Sequence, residues 1–156
     1  MEQHENEPYH AINVTISLPE DQSSITLEGD ISKAYPEDAK IDHWTRKIHF
    51  DRNANELSIQ EDYQLEQHLA NHKLNFVTVS NMKLDRTDHG LILTNDHVNV
   101  LMQFDWKLFD FETEIKSLDN DHHLTSVWGE TVQKFSLISK SQSNSDSMKI
   151  VLKSHN

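Results

Sequence analysis

The sequence predicts an all-β protein, an antiparallel β-sandwich of about ten strands with at most one or two short helices. Nearly every apolar segment alternates apolar and polar residues with period two, which is typical of half-buried strands. These segments are short and are separated by turn residues, mostly asparagine and aspartate, because the chain has only three glycines and three prolines. Several short alternating strands with turns between them favour a sandwich of antiparallel sheets.

The candidate strands share this alternation and are taken here in chain order: residues 12–18, 25–31, 42–50, 57–63, 74–79, 91–93, 98–104, 109–115, 127–138 and 148–152. Residues 33–39 predict one short helical turn, and residues 64–72 are the other plausible helix, with Leu65 and Leu69 at helical spacing. Residues 1–9 are expected to be a flexible lead-in. Residues 10–154 are expected to form a single β-sandwich domain.

The hairpin of residues 42–63 is the most informative stretch, because its loop fixes a register. Folding the ribbon about residues 53 and 54 pairs Phe50 with Leu57, Ile48 with Ile59, Arg46 with Glu61, and Trp44 with Tyr63. Arg46 then lies on an otherwise apolar face. A buried unpaired charge is very costly, so an arginine there needs a carboxylate, and Glu61 occupies the matching position. We expect Arg46 and Glu61 to be a structural core pair.

The bulk composition excludes several functions. The formal charge of −12, from 26 acids against 14 bases, repels nucleic-acid phosphates and anionic membranes. The same charge disfavours binding a polyanionic sugar over a broad face. No apolar run approaches the length of a membrane-spanning helix, and no signal-peptide pattern is present. The absence of cysteine excludes disulfides and thiolate metal sites and leaves the compartment unknown.

Few residues indicate chemistry. His68 and His72 have the spacing of a helical zinc pair, but residue 69 is leucine where zinc hydrolases carry glutamate, so solvated histidines and no metal or other cofactor are expected. Tyr35 before Pro36 could act as a general acid or base, although a packing role is the better interpretation. No Gly-x-Ser-x-Gly motif supports nucleophilic hydrolysis.

The three tryptophans could stack on sugar rings. Trp44 and Trp128 lie in apolar strand patterns, which favours core packing for both. Trp106 lies between Asp105 and Lys107 and is the best candidate for an exposed, carbohydrate-binding aromatic.

The series Asp30-Ile31-Ser32-Lys33-Ala34-Tyr35-Pro36, Trp44-x-Arg46-x-Ile48-x-Phe50 and Leu57-x-Ile59-x-Glu61-x-Tyr63 resembles the β-sandwich region of heparinase II/III-like polysaccharide lyases. Residues 121–130 and 135–138 resemble the closing segment of that region. Glu61 departs from the family, which more usually has aspartate there. Arg46, Glu61, Trp128 and Gly129 carry over as structural positions only.

The resemblance implies a non-catalytic C-terminal domain that braces an N-terminal helical toroid and walls the cleft for a uronate-containing polysaccharide. Such lyases abstract the proton at C5 and eliminate the C4 substituent. No catalytic or metal-binding residue is carried over, so this chain alone is not expected to be an enzyme. An exposed apolar patch is expected where the helical domain would dock, with homo-oligomers as a consequence. The alternatives are a free-standing carbohydrate-binding module and, third, a residual lyase using Tyr35 with a histidine.

Overall fold

The computed structural model describes residues 9–67 and 72–155, and these residues contain eleven strands in two antiparallel sheets. The strands are β1 (Ile12–Ser17), β2 (Ser24–Asp30), β3 (Ile41–Asp51), β4 (Glu56–Leu65), β5 (Lys73–Val79), β6 (Lys83–Thr87), β7 (Gly90–Thr94), β8 (Asn99–Gln103), β9 (Phe109–Ser117), β10 (Thr131–Ser139) and β11 (Ser145–Ser154). The described helices are α1 (His122–Trp128) and two 3₁₀ helices, Ser32–Ala34 and Glu37–Ala39. The expected all-β sandwich class is confirmed.

The described chain divides into two compact units. The first comprises residues 9–67, 102–104 and 142–154, and the second comprises residues 72–101, 105–141 and 155. The expectation of a single domain over residues 10–154 stays a prediction. Of the expected lead-in, residues 1–8 lie outside the described residues.

The first unit is built on five neighbouring strands in the order β1-β2-β3-β4-β11. Its core contains the buried side chains of Trp44, Tyr63, Met148 and Ile150. β1 is the edge strand of this group and is irregular, because the register shifts between Ile12 and Thr15 and Asn13 has a φ of 54°. A bulge of this kind discourages edge-to-edge pairing with other chains.

The second unit contains the three-stranded sheet β5-β10-β9 and the hairpin β6–β7. Phe135 and Leu137 of the central strand β10 are almost fully buried. Phe135 stacks on Phe76 of β5 with ring centroids 5.1 Å apart and contacts Phe111 of β9 at 6.1 Å. Cross-strand aromatic pairs of this kind stabilise a sheet beyond the area that they bury.

The expectation of a strand over residues 127–138 was wrong at its start. Val127 and Trp128 end helix α1, and Trp128 is 43% exposed instead of packing in the core. Asp121 caps this helix, because its side chain accepts hydrogen bonds from the N–H groups of His123 and Leu124. Gly129, with a φ of 84°, ends it. The apolar alternation of residues 127–138 indicated one strand, although its first two residues belong to the capped helix α1.

The structure contains one strand that the sequence did not predict and differs from one predicted helix. Strand β6 was missed because Leu84 is its only apolar residue, so its pattern is too polar to indicate burial. The helix predicted over residues 64–72 is wrong at its start, since Gln64 and Leu65 belong to β4. Residues 68–71 lie outside the described residues, and with them His68 of the histidine pair. The short helical turn predicted over residues 33–39 is present as the two 3₁₀ helices.

We expect Asp121→Ala to destabilise helix α1 by about 1 kcal/mol, because two backbone N–H groups lose their acceptor. Asp121→Asn keeps an oxygen at the cap and should retain most of the stability. Hydrogen exchange at the amides of His123 and Leu124 would measure the difference, with exchange about fivefold faster in the alanine variant. Equal exchange in the two variants would contradict the capping role.

Candidate functional site

The hairpin register predicted from the sequence is confirmed: β3 and β4 pair Trp44 with Tyr63, Arg46 with Glu61, Ile48 with Ile59, and Phe50 with Leu57. Glu61 is only 1% exposed. Its Oε1 accepts a hydrogen bond from Nε of Arg46 at 2.6 Å, and its Oε2 accepts one from Nε1 of Trp44 at 2.6 Å. Both carboxylate oxygens are therefore used within the fold.

Burial raises the pKa of Glu61, while the positive charge of Arg46 and the hydrogen bonds from Trp44 and Arg46 oppose that rise. The guanidinium side chain of Arg46 is 38% exposed, so it links the buried carboxylate to the surface. A carboxyl group clamped on both oxygens is poorly placed to transfer a proton to a substrate. This cluster holds the two strands in register.

Tyr35 and the ring of Tyr63 flank Trp44. The centroids of Tyr35 and Trp44 are 6.2 Å apart, and those of Trp44 and Tyr63 are 5.3 Å apart. Burial raises the pKa of Tyr35, so forming the phenolate that a general base requires costs more than in water. The geometry favours packing over catalysis for Tyr35.

Trp106, the predicted sugar-binding aromatic, is half-buried in the second unit. The guanidinium of Arg86 lies 3.8 Å from the centre of its ring, and Phe111 contacts it edge-on at 6.1 Å. Its indole N–H donates to the carbonyl oxygen of Thr87 at 2.8 Å. Stacking a sugar on the face that Arg86 covers would require this cation–π contact to break.

The first unit has an apolar row that is buried at one end and exposed at the other. Cross-strand pairing aligns Ile16, Leu27, Ile48, Ile59 and Ile150 on one face of β1, β2, β3, β4 and β11. Ile150 is 1% exposed, whereas Leu27 is 38% and Ile16 is 69% exposed. The apolar side of the sheet thus continues over β2 and β1 without a cover.

Two further residues of the β1 segment extend the exposed area. Val14 is 54% exposed and packs over Gly29, where an added Cβ would lie 3.1 Å from Cγ2 of Val14. Leu18 is 51% exposed. We name the exposed surface of Val14, Ile16, Leu18 and Leu27 the apolar face. Contiguous exposed apolar residues of this kind commonly mark an interaction site.

The opposite side of the same sheet is polar. His43, Asp62, Gln64, Ser145 and Ser147 line an open cleft of about 400 Å³ on β3, β4 and β11. Beside it, His43 contacts Asp30 of β2 and Thr45 of β3. The predicted hairpin register already placed His43, Asp62 and Gln64 on one side of the sheet. No pattern in the sequence indicated that Ser145 and Ser147 of β11 or Asp30 of β2 lie beside them.

No protein-family model matches the chain, and no curated protein matches it. Within residues 9–67 and 72–155, no three His, Cys, Asp or Glu side chains are grouped so that they could hold a metal ion. Among the helices that the structure describes, none is both long and apolar enough to cross a membrane.

We expect the free energy of unfolding to fall as pH rises above about 4.5, the ordinary pKa of Glu61. Because its pKa is raised, Glu61 keeps its proton in the folded state at pH values where the unfolded chain has lost it. Binding this proton stabilises the folded state, and the stabilisation is lost as pH rises to the folded-state pKa. Glu61→Gln removes this titration and keeps an oxygen for the indole N–H of Trp44. Urea denaturation from pH about 4.5 to about 7 should show a flatter profile in the variant.

Glu20→Gln supplies the matched control substitution, because Glu20 belongs to the same unit as Glu61 and is exposed. Its pH profile should keep the slope of the wild-type protein. Identical slopes for wild type and Glu61→Gln would show that Glu61 keeps its ordinary pKa in the folded protein.

Proposed function

We propose that this chain is a non-catalytic accessory β-domain that docks against a helical domain through its apolar face, as in heparinase II/III-like polysaccharide lyases. In that assembly it would brace the helical catalytic domain and wall the cleft for a uronate-containing polysaccharide. The observation that carries the proposal is the exposure gradient from Ile150 to Ile16 along one continuous apolar row.

Two physical arguments support a docking role over a purely structural one. Each large aliphatic side chain that a partner fully covered would contribute about 1.5–3 kcal/mol of favourable burial free energy. The bulge at Asn13 disfavours strand addition at the edge of β1, so a partner would meet the face of the sheet instead. Helices packed on a sheet face are a common way to bury such a surface.

The formal charge of −12 is compatible with the walling role and argues against direct capture of a polyuronate over a wide surface. In the proposed assembly, the cationic groups that neutralise the uronate belong to the helical domain. The chain would contribute shape and rigidity. Its resemblance to the lyase sandwich, carried by residues 30–36, 44–50 and 57–63, supports this division of roles.

We expect the double variant Ile16→Thr/Leu27→Thr to lower self-association of the purified chain, because threonine keeps β-propensity while removing apolar surface. Sedimentation velocity at increasing protein concentration would measure it. Val77→Thr is the matched control, since Val77 is a 55% exposed strand residue of the second unit. If all three proteins associate equally, the apolar face is not the contact surface.

We expect the purified chain to yield no unsaturated uronate from heparin, heparan sulfate, hyaluronan, alginate or chondroitin sulfate, as measured by ultraviolet absorbance. Product from any of these would show a complete active site in the chain and would overturn the non-catalytic proposal.

Glycan binding by wild type and Trp106→Ala distinguishes the carbohydrate-binding alternative. A binding module would lose affinity in the variant, whereas an accessory domain would show the same result for both proteins.

A further inference from the structure

A chain of three polar side chains crosses the polar side of the first unit. Oδ2 of Asp30 lies 3.2 Å from Nδ1 of His43, and Nε2 of His43 lies 2.6 Å from Oγ1 of Thr45. His43 and Thr45 alternate with Trp44 along β3, so both project to the side opposite the buried tryptophan. A carboxylate, an imidazole and a hydroxyl in this order have the connectivity of a nucleophile, its base and the group that orients the base.

Asp30 is held firmly. Its side chain is only 12% exposed, and its Oδ1 accepts hydrogen bonds from the N–H of Ser32 at 2.8 Å and the N–H of Trp44 at 3.4 Å. Although burial opposes it, these hydrogen bonds lower the pKa of Asp30, so the group is ionised at neutral pH. An ionised carboxylate can only accept hydrogen bonds.

The tautomer of neutral His43 follows from that acceptor. Nδ1 must carry the proton that is shared with Asp30, which leaves Nε2 as the acceptor for the hydroxyl proton of Thr45. The His43 side chain is 53% exposed and lines the cleft of about 400 Å³. The base is therefore reachable by a small molecule in the cleft, and its contact with the half-buried Thr45 lies at the surface, while the orienting carboxylate is shielded.

We propose that Thr45 is an activated hydroxyl that accepts an acyl group from an activated ester, with His43 as its general base and Asp30 as the residue that positions His43. This is a modification site on the polar side of the sheet. It is independent of the docking role proposed for the apolar face.

The step balances without a further reactant. Oγ1 of Thr45 attacks the carbonyl carbon of the ester, and its proton passes to Nε2 of His43. The bond from the carbonyl carbon to the leaving oxygen then breaks, and His43 returns the proton to that oxygen. The products are O-acyl-Thr45 and the free alcohol.

The surroundings select the charge of the acyl donor. Asp62 lies directly opposite Thr45 in the pairing of β3 with β4, and Asp30 lies opposite it in the pairing with β2. Two carboxylates beside the hydroxyl repel an anionic ester and tolerate a neutral or cationic one. The class of donor is therefore an uncharged or cationic activated ester.

The same sheet supplies a matched control. Oγ1 of Thr26 lies 2.8 Å from Nδ1 of His49, so a second threonine hydroxyl contacts an imidazole on β2 and β3. Within the described residues, no carboxylate lies within hydrogen-bonding distance of His49, in contrast to His43. Thr26 and His49 thus test the contribution of the orienting carboxylate.

The experiment treats the full chain with p-nitrophenyl acetate at neutral pH and locates the acetyl group by peptide mass spectrometry. We expect the rate of acetylation at Thr45 to exceed the rate at Thr26 by a factor of about ten or more. His43→Gln and Asp30→Asn should each slow it about tenfold or more, and His49→Gln should leave it unchanged. An anionic p-nitrophenyl ester should react more slowly at Thr45 than the acetate.

Two variants of the hydroxyl keep the result decisive. Thr45→Val should abolish acetylation at residue 45, and Thr45→Ser, which keeps the hydroxyl, should retain it even if the valine variant does not fold. Unfolding curves of each variant establish that the protein treated is native. Acetyl groups only on lysines or on His43, or an unchanged rate at Thr45 in His43→Gln, would overturn the proposal.

Discussion

The buried carboxylate of Glu61 is the constraint on which the first unit depends. At 1% exposure it must be bonded on both oxygens, and Arg46 and Trp44 do this from the neighbouring strand. The register that pairs Arg46 with Glu61 supplies both of these hydrogen bonds to the carboxylate. A slip of one residue would turn every side chain of the strand to the other side of the sheet.

That register assigns the two sides of the sheet their different properties. Positions that alternate with Glu61 and Arg46 carry the apolar row from Ile150 to Ile16, whereas the intervening positions carry His43, Thr45 and Asp62. The pairing of the buried Glu61 with Arg46 thus determines which side of β3 and β4 belongs to the apolar row and which side carries the proposed acyl-acceptor site. The two sites can be altered separately, because substitutions on one side of a strand leave the other side unchanged.

Local pattern predicted some elements and misled at others, for identifiable reasons. The β3–β4 hairpin was predictable because its loop and its charge pair gave independent evidence for one register. Helix α1 was missed although Asp121 and Gly129 bracket it, because Val127 and the strand after it form one apolar alternation. Trp106 lies between charged residues as an exposed residue would, yet Arg86 covers its ring. This contact joins strand β6 to the turn that precedes β9, and composition does not reveal it.

By itself, the sequence determined the all-β class, most strands and the pairing of Arg46 with Glu61, because alternation and charge compensation are local properties of one ribbon. Only the tertiary structure decided that Ile16 and Leu27 are exposed while Ile150 is buried, since all three have the same alternating pattern and exposure depends on what packs above them. It also decided that Asp30 meets His43. Their contact follows from the pairing of β2 with β3 across two intervening 3₁₀ helices, which no spacing along the chain specifies.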